Sequence, residues 1–142
     1  MNKILELYNQ NNQFGKLFGM TYEVVEPGNI LYKLKVTEKM LGTPTVIHGG
    51  ALAGFMDAVI GVAALSITSE KGKAVSTVEF KVNYLKPIFL NDELKGIGTV
   101  LSEGKRIIVA KGEIFNQNNE LVAISTATLN AYPLEKTGYK FP

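Results

Sequence analysis

The sequence predicts an α+β fold in which a curved antiparallel sheet of about six strands wraps around one long central helix. Three observations lead to this prediction: β-rich segments with a two-residue period, a long apolar helix in mid-chain, and glycines inside the strands. Two strand-like segments precede the long helix and about four follow it, so strands and helices do not alternate as they do in a parallel sheet.

The chain begins with a predicted short amphipathic helix over residues 3–18, interrupted around Gly15 and Gly19. A hairpin follows, with strands at residues 20–26 and 30–36 that are joined by a Pro-Gly turn. These elements precede the long helix.

Four strand-like segments come after the long helix, at residues 76–85, 92–101, 106–115 and 121–131. The first alternates strictly. One face carries Val78, Phe80, Val82 and Tyr84, and the other carries Thr77, Glu79, Lys81 and Asn83. This strand is therefore predicted to be half buried.

Composition excludes several function classes. The 142 residues include no Cys and a single His, which excludes thiolate nucleophiles, disulfide frameworks and His-rich metal sites. The net charge is +2 and no basic run exceeds two residues, so we expect no nucleic-acid partner. Glu6 interrupts the apolar stretch that a signal peptide needs, so we expect a cytoplasmic protein. The sequence contains no internal repeat and no long Gly/Ser/Pro linker, so we expect a single domain over residues 1–142.

The long helix is apolar on every side, and from Ala51 to Leu65 only Asp57 is charged. Such a helix is either buried in a core or spans a membrane. A central Asp costs about 2.5–3.5 kcal/mol in a bilayer, so we expect a core helix and no membrane association. Its Ala and Gly residues allow a sheet to approach closely, and strand glycines suggest the same contact from the other side. These are Gly96, Gly98 and Gly112.

Asp57 and the start of this helix are the candidate functional groups. A carboxylate in an apolar helix needs partners, either as a structural cap or ion pair or as part of a reactive cleft. Gly49 and Gly50 leave the first backbone N–H groups of the helix open to an anion or a developing oxyanion, with His48 beside them. The alternative is that the glycines only form a tight entry to the helix and that His48 is a surface residue.

The spacing of these groups predicts a shared site. His48 and Asp57 are nine residues apart, which in a helix corresponds to about 13.5 Å and to opposite sides. If both act in one reaction, an antiparallel helix of a partner subunit must supply the Asp. A two-fold dimer would then contain two equivalent sites.

The triplet His48-Gly49-Gly50 followed by Asp57, together with the strand segment 78–87, resembles the hotdog-fold acyl-CoA thioesterases of the PaaI-like (phenylacetic acid degradation) branch. The resemblance covers roughly residues 15–133. It implies a hotdog fold and a homodimer joined through the strand after the helix, with further pairing into a homotetramer in many relatives.

The resemblance also implies roles for individual residues. The Gly49 N–H would polarise the thioester carbonyl, with Gly50 beside it, and Asp57 of the partner subunit would activate water or attack as a nucleophile. Thr77 falls where relatives carry Ser or Thr near the attacking water. Arg106, in the tract of residues 104–106, lies near a position that contacts CoA phosphates, although it could equally be a solvated hairpin charge.

One position departs from the family pattern. Close relatives often carry an Asn six residues before the His, and this chain has Gly42 there. His48 or Thr77 would then take over the orienting role of that Asn, or the activity would be slower or differently specific.

The expected function is hydrolysis of an acyl-CoA or aryl-CoA thioester, with no metal and no cofactor. Gly42 keeps open a non-catalytic acyl-CoA-binding or lipid-binding hotdog module. A hotdog dehydratase or hydratase would use a different His-containing helix motif. The acyl group, the choice between dimer and tetramer, and the role of Asp57 as nucleophile or base stay open.

Overall fold

The computed structural model of the protein describes residues 2–138, and the ends of the predicted domain, residue 1 and residues 139–142, lie outside it. Three α-helices are present in the described range: α1 (Lys3–Asn11), α2 (Gln13–Phe18) and α3 (Gly49–Thr68). The strands are β1 (Thr21–Glu26), β2 (Asn29–Lys35), β3 (Lys73–Tyr84), β4 (Glu93–Glu103), β5 (Ile107–Phe115) and β6 (Leu121–Pro133).

All six strands form one antiparallel sheet in the order β1-β2-β4-β5-β6-β3. Helix α3 packs across one face of this sheet and contacts β2, β3, β4 and β5 most extensively. The predicted α+β architecture, one long helix on a six-stranded antiparallel sheet with short helical structure at the N-terminus, is therefore confirmed.

Helix α3 is the centre of the hydrophobic core. Phe55, Met56, Val59 and Ile60 have no exposed surface. By length and composition alone the segment Gly49–Lys71 could cross a membrane, with a mean hydropathy of 1.8. The sheet encloses its apolar side, as expected of a core helix.

The predicted close approach between helix and strands is confirmed. A Cβ atom at Gly98 would lie 2.5 Å from the Val59 carbonyl oxygen, and one at Gly96 would lie 2.4 Å from a Val59 methyl carbon. At Gly112 it would lie 2.4 Å from the Met56 sulfur. Because these three strand glycines have no side chain, α3 can approach β4 and β5 this closely.

The N-terminal helix is interrupted at a position that the sequence-based prediction missed. The break falls at Asn12, which ends α1 and caps α2, whereas Gly15 lies inside α2. The Asn12 Oδ1 accepts a hydrogen bond of 3.0 Å from the Gly15 N–H. An N-cap side chain thus starts a second helix where a glycine break was expected. The interruption at Gly19 is correct, because this residue ends α2 with a positive φ of 66°.

The predicted alternation along β3 is wrong at Val78. The pairing of β3 with β6 shifts between Thr77 and Glu79, and Val78 is the extra residue, with 59% of its surface exposed. Because a bulge reverses which side chains face the core, Thr77 and Phe80 lie on the same side of the sheet. Thr77 therefore faces α3 instead of the opposite face.

Candidate active site

His48 is the N-cap of α3. Its backbone is extended (φ −66°, ψ 134°), and its Nδ1 accepts a hydrogen bond of 2.8 Å from the Gly50 N–H. The backbone N–H of His48 donates to the Met40 carbonyl at 2.7 Å, which fixes the entry to the helix. When neutral, the imidazole therefore carries its proton on Nε2, and its Nδ1 caps the helix.

This capping bond distinguishes the two glycines. Gly50 uses its N–H for His48, and a Cβ atom on Gly50 would lie 3.0 Å from the His48 Nδ1. Gly49, the first residue of α3, has an N–H with no acceptor inside the helix. Gly49 is therefore the better placed of the two to donate to a ligand.

Tyr84, at the end of β3, borders the start of α3. Its hydroxyl donates a hydrogen bond of 2.7 Å to the Gly49 carbonyl, and 52% of its surface is exposed. The sequence placed Tyr84 on the apolar face of the strand, and no local pattern indicates its contact with a residue 35 positions away.

Gly42 packs directly against His48. A Cβ atom at this position would lie 3.0 Å from the His48 Cα and 3.1 Å from the His48 Cβ. The loop before α3 is thus tight, and an Asn here would require His48 to move. The glycine that departs from the family pattern therefore fits the close packing of this loop against His48.

Asp57 and Thr77 form the second part of the site. The Thr77 hydroxyl donates to the Asp57 Oδ1 at 2.6 Å, so the half-buried carboxylate has a donor from the neighbouring strand. The bulge at Val78 makes this contact possible, because it turns Thr77 toward α3. This pair meets the requirement that a partly buried carboxylate be hydrogen-bonded.

An open groove of about 920 Å³, here called the Asp57 groove, runs along α3 beside this pair. Of the described residues that line it, Asp57 alone is charged. Its walls include residues from both N-terminal helices, from α3 and from β3: Leu7, Tyr8, Asn12, Phe14, Gly54, Asp57, Gly61, Leu65, Val75 and Thr77. The groove is therefore mainly apolar, with a carboxylate in its lining.

Tyr8 contributes a polar group to the same groove. Its hydroxyl accepts a hydrogen bond of 3.0 Å from the Asn12 Nδ2 and lies 3.4 Å from the Tyr32 hydroxyl. Burial raises the pKa of the Tyr8 hydroxyl, and the negative charge of Asp57 acts in the same direction. Tyr8 is therefore a neutral hydroxyl at neutral pH.

The contribution of α1 and α2 to the groove was not predicted. A Cβ atom at Gly54 would lie 2.6 Å from the Phe14 ring, so Gly54 allows α2 to dock on α3. The amphipathic pattern of residues 3–18 indicated a buried face but not what it covers. The spacing of Gly54, Asp57, Gly61 and Leu65 on one side of α3 is the signal that could have located the groove.

The two parts of the site lie apart within one chain. Gly49 and Asp57 are separated along the axis of α3 by about 12 Å. Gly49 borders a separate hollow lined by Tyr84 and Leu52, whereas Asp57 and Thr77 line the groove. One chain therefore brings Asp57 to Thr77, and His48 to both glycines, but does not bring the carboxylate to the start of the helix.

Arg106 lies at neither part. It is exposed in the turn between β4 and β5, and its carbonyl accepts from the Ala131 N–H at 2.6 Å. The neighbouring Lys105 carbonyl accepts from Lys73, which opens β3 just after the C-terminal end of α3. Within one chain, Arg106 and Gly49 are therefore at opposite ends of the long helix. Within residues 2–138, no group of three or more His, Asp and Glu side chains is placed to hold a metal ion.

We expect the Thr77→Val substitution to lower kcat roughly tenfold or more, because a hydrogen bond to a charged group contributes about 1.5–3 kcal/mol. Thr77→Ser keeps the hydroxyl and should retain most of the activity. Steady-state kinetics of both variants on one thioester test this. Full activity in Thr77→Val would mean that the hydroxyl of Thr77 does not contribute to the reaction.

Comparison with known proteins shows the family to which this chain belongs. The sequence profile of the thioesterase superfamily matches residues 45–123, which include the start of α3, Asp57 and Thr77. The structure of the E. coli PaaI protein from the phenylacetic acid degradation operon is similar with a TM-score of 0.83 and 25% identity, covering 90% of each chain. A hypothetical thioesterase protein of Streptococcus pneumoniae, solved with coenzyme A, has a TM-score of 0.71 and 27% identity, covering 80% of this chain and 87% of that one.

A sequence relative extends the comparison. The medium/long-chain acyl-CoA thioesterase YigI of Escherichia coli is 23% identical over 137 residues, covering 87% of this chain and 88% of that protein. The profile match spans more than half of the chain and includes the helix start and the carboxylate described above. The predictions of a hotdog fold and of a PaaI-like thioester hydrolase are thereby confirmed, and the chain belongs to the thioesterase superfamily.

Proposed function

We propose that the protein hydrolyses acyl-CoA thioesters at a site formed by the Gly49 N–H of one subunit and Asp57 of the partner subunit. The observation that carries this proposal is the arrangement on α3, with an open helix N-terminus and a Thr77-bound carboxylate about 12 Å apart. Two antiparallel copies of α3 would bring the two groups to opposite sides of one thioester.

The reaction follows from these groups. Asp57 accepts a proton from a water molecule, whose oxygen attacks the thioester carbonyl carbon. The Gly49 N–H stabilises the negative charge on the carbonyl oxygen in the tetrahedral intermediate. The intermediate collapses with cleavage of the carbon–sulfur bond, the CoA thiolate takes up the proton, and the free acid leaves. Direct attack by the Asp57 carboxylate would form an anhydride that water then hydrolyses to the same products.

The surface of β3 supports the dimer. β3 lies at one edge of the sheet, so its outer backbone groups can pair with another strand. Val78, Tyr84 and Leu85 at or just beyond this strand are about half exposed, at 59%, 52% and 48%. We propose that two copies pair along this edge to form a homodimer, and that a homotetramer would form by contact of two such dimers.

The substrate is proposed to be a CoA ester with an apolar acyl group. The Streptococcus pneumoniae relative was solved with coenzyme A, and the name of YigI specifies medium-chain and long-chain acyl groups. The apolar lining of the Asp57 groove agrees with an acyl chain. Arg106 remains a candidate for binding the CoA phosphates. Because it lies at the end of its own subunit that is remote from Gly49, it would have to reach a site of the dimer from that end.

Mixed dimers test whether the site is shared between subunits. Gly49→Pro removes one N–H at the first position of a helix, where Pro is tolerated, and the extended His48 backbone is the conformation that precedes Pro. Dimers that carry Gly49→Pro in one subunit and Asp57→Asn in the other keep one intact site. Random pairing of the two inactive variants should restore about one quarter of the wild-type kcat.

The controls separate the alternatives. Each variant alone should be inactive, and purified mixed dimers with two different affinity tags should have about half of the wild-type activity. No activity in the mixed dimers would mean that Gly49 and Asp57 act within one chain or not at all. If the wild-type protein binds acyl-CoA esters tightly without releasing thiol from any of them, a non-catalytic binding module replaces the proposal.

A further inference from the structure

We propose that the Asp57 groove holds an extended apolar acyl chain and that Gly61 determines how long a chain it accepts. This inference rests on the proposed thioester hydrolysis and specifies the substrate class of the same site. The groove ranks among ligand-sized cavities, because binding pockets for small molecules generally occupy about 300–1,000 Å³.

The lining of the groove matches the chemistry of a fatty acyl thioester. Asp57 is its one charged group among the described residues, and the Thr77 and Tyr8 hydroxyls are polar groups in the same lining. An acyl group whose carbonyl lies at Asp57 would place its polar end beside these groups and its hydrocarbon against the remainder of the lining, which is mainly apolar but also includes Asn11, Asn12, Tyr132 and Thr137. If an apolar surface of another protein covered the groove instead, it would bury the Asp57 carboxylate with Thr77 as its donor and no cation beside it. Burial of a charge without a charge partner is unfavourable.

The groove is elongated along α3. Gly54 and Leu65 mark its extent on the helix and are separated along the axis by about 16 Å. From Asp57, Gly61 lies one helical turn away, at about 6 Å, and Leu65 lies at about 12 Å. This length suits an extended hydrocarbon chain better than a single aromatic ring.

Gly61 leaves space that no neighbouring atom fills. A Cβ atom there would meet nothing within 4 Å, whereas a Cβ atom at Gly54 would lie 2.6 Å from the Phe14 ring. The space over Gly54 is thus taken up by packing of α2, and the space over Gly61 belongs to the groove. A larger side chain at residue 61 would project into the path of a chain that extends from Asp57.

The opposite wall comes from α1 and α2, through residues such as Leu7 and Phe14. These residues precede the segment 45–123 that the superfamily profile matches. One wall of the groove is therefore built by a different segment of the chain from the one that carries Asp57 and Gly61.

The test is a chain-length profile of kcat/KM on saturated acyl-CoA esters from butanoyl-CoA to hexadecanoyl-CoA. For the wild type we expect kcat/KM to rise roughly fourfold per methylene until the groove is filled. For Gly61→Leu, the ratio of kcat/KM for dodecanoyl-CoA to that for butanoyl-CoA should fall at least about tenfold. Gly61→Ala adds only one methyl group at the same place and should change this ratio less than about fourfold. A ratio is insensitive to the fraction of folded enzyme.

A binding measurement separates this inference from the proposed hydrolysis. The dissociation constants of the same esters are measured with Asp57→Asn in place, with and without Gly61→Leu. The inference is supported, even if the wild type hydrolyses no ester, if binding strengthens with acyl-chain length and Gly61→Leu weakens the binding of the long-chain esters selectively. Hydrolysis with an unchanged length profile in Gly61→Leu overturns the inference and leaves the proposed function intact. A changed oligomeric state in Gly61→Leu with an unchanged profile also overturns it, because the groove would then be a contact between subunits.

Discussion

Replacing Asp57 with asparagine is expected to lower kcat by a factor of about 100 or more, because general acid–base catalysis contributes factors of about 10²–10⁴. The substitution removes the negative charge but keeps a side-chain oxygen that can accept from the Thr77 hydroxyl. The fold and the oligomeric state should therefore be preserved. The measurement is kcat on an acyl-CoA ester, with circular dichroism and light scattering on the same preparation.

The chain offers one matched control. Asp92 is its only other aspartate. It is partly exposed and accepts from the Phe89 N–H and from Gln117, far along the chain from α3. Asp92→Asn should leave kcat within about twofold of wild type, as expected for a surface substitution that keeps an acceptor. Near-normal turnover in Asp57→Asn would remove Asp57 from the proposed mechanism.

A second large effect is expected on stability, from Gly98→Ala. The added methyl group would lie 2.5 Å from the Val59 carbonyl oxygen, which belongs to the backbone of α3, and 2.9 Å from the Ala63 Cβ. Because a helix backbone cannot turn aside as a flexible side chain can, the helix must move away from the sheet. We expect the free energy of unfolding to fall by about 3 kcal/mol, measured by urea denaturation.

Gly61→Ala is the control for this prediction, since both substitutions add one methyl group to a glycine. At Gly61 the methyl group would meet nothing within 4 Å, and alanine is the better helix former. This variant should be about as stable as the wild type or more stable by up to about 1 kcal/mol. If Gly98→Ala were no less stable than Gly61→Ala, the close packing of α3 on β4 would not limit the choice of residue at position 98.

Local sequence was sufficient to predict the central part of this fold. An apolar helix rich in small residues, followed by strands with interior glycines, has one efficient way to bury both surfaces, which is close packing of that helix on a curved sheet. The start of α3 was also predictable from local sequence. His48 and the two glycines act within three residues of each other, so their order in the chain already places them together.

The Asp57–Thr77 pair was predictable as two separate candidates but not as a contact. A strict two-residue period places Thr77 on the face opposite Phe80. The structure reverses this through the bulge at Val78, which depends on how β3 pairs with β6. Since strand pairing is decided by residues some 50 positions away, no pattern within β3 indicates the bulge.

The sequence by itself determined the helix start, the carboxylate within the apolar helix, and the packing of α3 against glycines, because each depends on neighbours a few residues apart or on composition. Only the tertiary structure decided that Thr77 donates to Asp57 and that α1 and α2 form a wall of the groove beside Gly61. These contacts join segments far apart in the chain. Their geometry is set by strand register and by the docking of α2 on Gly54, which are properties of the packed chain as a whole.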